Sequence, residues 1–181
     1  PVAPTNFLKN ARLHDAINRA NTFFLEKTIK KASKKLGFQS PTVVNAFNPR
    51  FGLPLAGRLG EGRLVYYCYD EIGAANWAGR HGTRLESSFL KKCDAAVVSS
   101  DGLFSKMKNR HGRVFLVKNG VDFELFKKAG PSVFSEKKTV GYLGSIDDRL
   151  DFELLERLFK KFENVRFVFV GRVQNEAVRA R

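Results

Sequence analysis

Four predicted strands each end in a short polar or glycine-containing segment, and these segments are the first candidates for chemistry. They are Asp70-Glu71, Ser99-Ser100, Asn119-Gly120 and Gly144-Ser145. In an open α/β sheet, ligands bind beyond the carboxyl ends of the strands. The sequence therefore predicts a substrate site built from carboxylates, hydroxyls, an amide and a glycine-containing turn.

The acidic segment allows two interpretations. Asp70 and Glu71 follow the apolar run 64–69, so either carboxylate could act as a general base or accept a hydrogen bond from a substrate hydroxyl. The same residues also suit the solvated entrance of a loop, and the sequence favours neither interpretation. Asn119-Gly120 is by default a turn, because both residues tolerate a positive φ.

The last segment could receive a phosphate. Gly144 lets a phosphate approach the backbone, the Ser145 hydroxyl could donate a hydrogen bond, and Arg149 could add a charge-assisted bond to a diphosphate. The spacing alone favours a different interpretation, a tight turn in which Asp147 or Asp148 caps the following helix.

The histidines and cysteines predict no structural metal site. His14, His81 and His111 lack metal-ligand spacing, and no cysteine cluster accompanies them. His81 lies in a Gly-rich stretch and is the one histidine considered for the substrate site, with an ordinary loop histidine as the alternative. Cys68 and Cys93 lie in or beside apolar runs and are predicted to be buried thiols.

Strand-like and helical segments alternate along the chain, with a loop predicted at 72–82. The strand-like runs are 42–47, 64–69, 95–98, 114–117, 140–143 and 165–170. The helical runs are 13–36, 51–59, 83–92, 102–110, 123–128 and 152–162. This alternation predicts an α/β fold with two parallel sheets joined near residues 122–138.

Three details of the helices are predicted from local pattern. The helix at 13–36 is expected to bury one apolar face, formed by Ile17, Phe24, Ile29, Ala32 and Leu36. Glu26 and Glu86 lie in helical stretches and are expected to be solvated. Ser100 is expected to cap the helix at 102–110.

The charge of the chain points to anionic partners. Its 181 residues hold 32 Lys and Arg against 18 Asp and Glu, a formal charge of +14. Nucleic acid, an anionic membrane surface and phosphorylated small molecules are the candidates. No RRM, KH or zinc-finger pattern supports the first, and neither a GxGxxG fingerprint nor a Walker loop is found. No signal peptide is found, and no apolar run reaches the roughly 20 residues of a membrane span.

Taken in order, four segments resemble the GT-B glycosyltransferases, and within them the retaining "family 4" group that builds bacterial cell-surface polysaccharides. The resemblance covers roughly residues 40–172. It rests on 66–71, 86–100, 117–126 and 140–148, which hold YYCYDE, the run from Glu86 to Ser100, VKNGVDF with Phe126, and VGYLGSIDD.

The resemblance implies two Rossmann-like domains. Residues 1–128 correspond to the later part of an acceptor-binding domain, 129–138 to a linker, and 139–181 to the start of a nucleotide-sugar-binding domain. By the same comparison the chain is a piece of a longer protein that lacks its beginning and most of the second domain, and the piece is expected to be inactive.

The resemblance also implies an enzyme and a site. The enzyme would be a nucleotide-sugar-dependent hexosyltransferase that retains configuration and uses neither metal nor cofactor, with Asp70 orienting the acceptor hydroxyl. The acceptor side would include Glu71, His81, Ser99 and Asn119. The donor diphosphate would meet Gly144, Ser145 and Arg149. Many relatives carry Arg where this chain has Ser145, and the glutamates that bind the donor sugar have no counterpart here.

The expected partners follow from that role. They are a nucleotide-sugar donor and a glycan or lipid-linked acceptor, with peripheral contact to an anionic membrane and no nucleic acid. The expected location is the cytoplasm, at the inner face of the membrane. Two alternatives stay open: a basic α/β module that binds nucleic acid or membrane, and a nucleotide-binding protein that is not a transferase, such as an epimerase or kinase relative.

Overall fold

The computed structural model describes residues 8–128 and 138–174. The chain divides into two compact units, Pro1–Val121 and Asp122–Arg181. The division falls next to the Asn119-Gly120 segment, and the predicted linker 129–138 lies outside the described residues except for Lys138. The roles assigned to the two domains stay predictions.

The first unit is built on a parallel sheet of four strands in the order β1-β2-β3-β4. The strands are β1 (Thr42–Ala46), β2 (Arg63–Cys68), β3 (Ala95–Val98) and β4 (Val114–Leu116). The helices are α1 (Ala11–Lys35), α2 (Pro49–Leu55), α3 (Gly82–Leu90) and α4 (Asp101–Met107). The predicted α/β class with a parallel sheet is confirmed.

The core of this unit lies between the middle strands and α3. Tyr66, Phe89 and Val98 are fully buried, and the Tyr66 and Phe89 rings meet edge-on with centroids 5.5 Å apart. Cys68 and Cys93 are buried free thiols, as predicted. Because burial disfavours the thiolate, it raises the pKa of both thiols to about 12, so neither is suited to act as a nucleophile at neutral pH.

Helix α1 buries a polar face, and the predicted apolar face is wrong. His14, Asn18 and Thr22 are buried, whereas Phe24 is 66% exposed. The hydrogen bonds of Asn18 explain why the polar face is the buried one. Its Nδ2 donates to the carbonyl oxygen of Arg50 at 2.5 Å, and its Oδ1 accepts from the Arg50 Nε at 3.2 Å. The helix is therefore held to α2 by hydrogen bonds, which its apolar residues could not make.

The prediction of a loop over 72–82 is also wrong. Two 3-10 helices, Ile72–Ala74 and Asn76–His81, occupy this stretch. Ile72 is buried in the core and anchors the first of them. Gly79, with φ at 58°, kinks the second, a conformation that glycine adopts at little cost.

The second unit contains α5 (Phe123–Lys127), β5 (Thr139–Leu143), α6 (Phe152–Lys161) and β6 (Arg166–Val170). β5 and β6 pair in parallel, with Thr139 opposite Arg166 and Leu143 opposite Val170. Phe159 of α6 packs on the sheet, its ring centroid 4.8 Å from that of Phe167. None of the helices in residues 8–128 and 138–174 is long and apolar enough to cross a membrane.

Candidate functional site

The strongest candidate site is a cleft of about 420 Å³ at the carboxyl edge of the first sheet. The strand register explains its position, because Cys68 pairs with Val98 and Val98 with Leu116, so β2, β3 and β4 end at one level. The residues that follow them line the cleft together with the start of α4: Tyr69, Asp70, Glu71, Ser99, Ser100, Gly102, Leu103, Lys106 and Asn119. Three of the four segments singled out in the sequence thus meet in one place.

Asp70 presents an exposed carboxylate to this cleft. Its Oδ1 accepts a hydrogen bond from the Glu71 backbone N–H at 2.8 Å. Its own carbonyl oxygen accepts from the Cys68 thiol at 3.2 Å. The loop is therefore fixed to the last residue of β2, and the carboxylate is oriented by its neighbour rather than by an ion pair.

Glu71 differs from Asp70 because it is paired. Its Oε2 forms an ion pair with the Nζ of Lys106, which projects from α4. Both side chains remain partly exposed. Lys106 brings a positive charge into the cleft that sequence reasoning missed. The available signal was its spacing of four residues from Gly102, which places both on one side of α4.

Ser99 and Ser100 serve mainly to shape the cleft. Ser99 is largely buried, and its hydroxyl donates to the carbonyl oxygen of Tyr69 at 3.0 Å, which ties the end of β3 to that of β2. The Ser100 hydroxyl accepts from the Leu103 N–H at 3.3 Å, so the predicted cap of α4 is confirmed. Asn119 is exposed and also lines the cleft.

Glu86 of α3 is a buried carboxylate in contact with β2, and its predicted solvation is wrong. Glu86 is 1% exposed. Its Oε1 accepts from the Tyr66 hydroxyl at 2.9 Å and lies 3.9 Å from the Cys68 sulfur, and its Oε2 pairs with the Arg110 guanidinium at 2.7 Å. Burial and then the negative charge of Glu86 raise the pKa of Tyr66 well above its ordinary value. The tyrosine therefore stays protonated and keeps donating.

A sequence signal for this burial existed. Glu86 lies one residue after Leu85 and three before Phe89, inside the apolar stripe of α3. A carboxylate in such a stripe needs donors, since an unpaired buried charge is costly. Tyr66 of β2 and the guanidinium of Arg110 supply two of them. The network supports the strand end that carries Asp70.

His81 does not line the cleft. It is buried at the end of the second 3-10 helix, with its Nε2 2.8 Å from the carbonyl oxygen of Leu8. Its ring lies 4.3 Å from that of His14, between centroids. The kinked second 3-10 helix turns it toward α1, where it holds the helix in place. Within residues 8–128 and 138–174, no three His, Cys, Asp or Glu side chains lie close enough to hold a metal ion.

In the second unit, the Gly144-Ser145 turn is held by its neighbours. The Gly144 N–H donates to the carbonyl oxygen of Val170 at 3.0 Å, and the Tyr142 hydroxyl donates to that of Ser145 at 2.9 Å. A Cβ on Gly171 would collide with the carbonyl oxygen of Gly144. Gly171, which sequence reasoning missed, is therefore what allows the two backbone segments to meet.

Arg149 is already engaged. Its Nε and one terminal nitrogen donate to the two carboxylate oxygens of Asp147 at 2.9 and 2.7 Å. These hydrogen bonds lower the pKa of Asp147. Neither Asp147 nor Asp148 caps α6, because Asp151 does so by accepting from the Leu154 N–H. A diphosphate at Arg149 would share the guanidinium with Asp147.

Comparison with known proteins gives one similarity of interest. No protein-family model matches the chain. Over 140 residues it is 26% identical to the protein named "Putative teichuronic acid biosynthesis glycosyltransferase TuaH" of Bacillus subtilis (strain 168). The match covers 66% of this chain and 35% of that protein, so the chain spans about a third of the length of this relative.

Proposed function

We propose that this chain is part of a glycosyltransferase, which moves a sugar from a nucleoside-diphosphate-sugar donor to a glycan or lipid-linked acceptor. The observation that carries the proposal is the meeting of Asp70, Glu71, Ser99 and Asn119 in one cleft at the carboxyl edge of a parallel sheet. The similarity to a bacterial protein named as a glycosyltransferase supports it. The finer assignment is a GT-B enzyme of the retaining family 4 type, hexosyl-transferring and independent of metal and cofactor.

The acceptor is proposed to bind in this cleft. Asp70 combines exposure with a fixed backbone, and one of its carboxylate oxygens is already oriented by the Glu71 N–H. The other can accept the hydrogen bond of an acceptor hydroxyl and orient its oxygen for attack on the anomeric carbon. Glu71 and Lys106 neutralise one another at the rim and leave Asp70 as the charged group of the site.

The donor diphosphate is proposed to bind at the Gly144-Ser145 turn of the second unit. The absence of a side chain on Gly144 and the Ser145 hydroxyl favour an approaching phosphate. Arg149 contributes through a guanidinium whose position Asp147 sets. Because Asp147 compensates part of its charge, Arg149 adds less attraction than an isolated arginine, and the remaining stabilisation comes from parts of the complete enzyme.

The proposal is tested with the full-length protein. A thermal-shift screen against nucleoside diphosphates and their sugars identifies the donor, since a ligand of the native state raises its stability by mass action. Transfer is then measured with the donor so found and a lipid-linked glycan acceptor. Stabilisation by a nucleotide sugar without transfer to any acceptor would favour a nucleotide-binding protein of another class.

The variant that tests the site is Asp70→Asn. It keeps the shape and removes the charge, and we expect turnover to fall by about 100-fold or more with little change in donor affinity. Glu163→Gln, at an exposed position of the second unit, is the matched control and is expected to retain activity. Unchanged turnover in Asp70→Asn would remove this residue from the site.

A further inference from the structure

Helix α1 presents to solvent a surface that the proposed reaction does not use. We define its outer face by Leu13, Phe23, Phe24, Lys27, Lys31 and Lys34. At 100° per residue these positions lie on the side of the helix away from the buried His14, Asn18 and Thr22. Along this face the three apolar side chains come before the three lysines.

The apolar side chains of the outer face are exposed within the described structure. Leu13 is 50% exposed, Phe23 48% and Phe24 66%. The two phenyl rings touch edge-on, with centroids 5.7 Å apart. The two adjacent rings therefore offer a partner apolar surface on the same face as the lysines.

The charge of the outer face is of one sign. The two carboxylates of α1 lie toward its protein-facing side, where Asp15 pairs with Arg84 at 2.8 Å and Glu26 pairs with Arg58 at 2.7 Å. No ion pair joins Lys27, Lys31 or Lys34 to a carboxylate in residues 8–128. Lys27 instead places its Nζ 4.3 Å from the centre of the Phe23 ring. The face therefore joins phenyl rings to cations that the protein does not neutralise.

This combination fits an anionic bilayer better than a nucleic acid. A helix lying at the membrane interface sinks phenyl and leucyl side chains to the boundary of the acyl chains, while lysines reach lipid phosphates on flexible stems. A helix in a nucleic-acid groove meets phosphates and base edges along its length, whereas this face offers two phenyl rings at its middle. At 25 residues, α1 is about 37 Å long and can lie flat on a membrane.

We propose that the outer face of α1 docks on the surface of an anionic bilayer. Phe23 and Phe24 enter the boundary of the acyl chains, and Lys27, Lys31 and Lys34 contact lipid phosphates. The cleft residues play no part in this contact, so the proposal stands apart from sugar transfer and is tested by binding alone.

The test is co-sedimentation of the full-length protein with vesicles of phosphatidylcholine, with and without phosphatidylglycerol. We expect binding only when the anionic lipid is present, weakening as salt is raised. Changing Lys27, Lys31 and Lys34 together to Gln should weaken it by about 100-fold, at roughly fivefold for each lysine near the surface. Changing Phe23 and Phe24 to Ser should weaken it by about tenfold or more.

Matched controls distinguish binding through this surface from binding through the net charge of the protein. Changing Lys91, Lys92 and Lys108 to Gln removes the same charge from exposed positions outside α1, and Phe126→Ser removes an exposed ring from the second unit. Both should bind vesicles like the parent, and circular dichroism should show every variant folded. Equal losses in the two lysine variants, full binding by the phenylalanine variant, or salt-sensitive binding to single-stranded or duplex DNA without binding to vesicles would each overturn the proposal.

Discussion

The two units bury their apolar residues to very different extents. In the first, Tyr66 and Phe89 are fully buried between a four-stranded sheet and its helices. In the second, two strands and α6 leave Leu143 85% exposed. A small sheet covered by one helix cannot bury both of its faces. The cleft is therefore supported by a well-buried apolar core. The Gly144 turn depends instead on hydrogen bonds and a close backbone contact.

The largest expected difference between the units is the cost of removing a core phenyl ring. Phe89→Ala leaves a cavity beside Tyr66 and should lower the free energy of unfolding of the first unit by about 3–5 kcal/mol. Phe159→Ala removes a ring that is already 40% exposed, so the second unit should lose only about 1–2 kcal/mol. Hydrogen exchange, followed separately at amides of β2 and β5, measures both. Equal losses would contradict the difference in burial.

A second prediction tests the buried carboxylate of the first unit. Glu86→Ala leaves the Tyr66 hydroxyl without its acceptor and Arg110 without its ion pair, and should lower the free energy of unfolding by about 2–4 kcal/mol. Glu86→Gln keeps an acceptor for Tyr66 and should cost less. Glu124→Gln, on an exposed turn of α5, should change nothing in a urea titration. If Glu86→Ala left the free energy of unfolding unchanged, the network would not support β2.

A third prediction gives one substitution opposite signs in the two units. Gly171→Ala forces a Cβ against the carbonyl oxygen of Gly144 and should destabilise the second unit by about 1–3 kcal/mol. Gly102→Ala lies inside α4 with open space around it, and should stabilise the first unit by about 0.5–1 kcal/mol. Thermal unfolding of both variants measures these two changes in stability. Stabilisation by Gly171→Ala would show that the close backbone contact is not required.

The smallest expected effect concerns pH. Hydrogen bonds from Arg149 lower the pKa of Asp147, and those from Arg84 lower the pKa of Asp15. A carboxylate whose pKa is lower in the folded state stabilises the fold above its unfolded pKa, and this contribution is lost as the pH falls through the folded pKa. Asp147→Asn should therefore remove part of the acid sensitivity of β5 amides, and Asp15→Asn part of that in the first unit.

The control for the pH prediction is Asp148→Asn, at an exposed neighbouring position. In this variant, both units should lose stability at low pH to the same extent as in the parent. If Asp147→Asn and Asp148→Asn behave alike, the pair of Asp147 with Arg149 contributes nothing to folding.

Local pattern was enough to predict most elements of the fold. Apolar runs located β2 and β3, and Ser100 marked the start of α4. The polar ends of β2, β3 and β4 could be expected to meet, because parallel strands share one carboxyl edge. The same logic failed for residues 72–82, where a buried Ile72 and a kink at Gly79 produce 3-10 helices in a stretch whose composition is typical of loops.

By itself, then, the sequence determined the alternation of strands and helices and the edge where polar residues gather, since periodicity, capping and strand direction depend on near neighbours. Only the tertiary structure decided which distant partners each side chain meets. It paired Glu71 with Lys106, buried Glu86 against Tyr66 and brought His81 next to His14. It also placed polar residues of α1 inside and Phe24 outside. Those outcomes depend on how elements separated by many residues pack, because burial of a polar group is favourable only where another element supplies its hydrogen-bond partner.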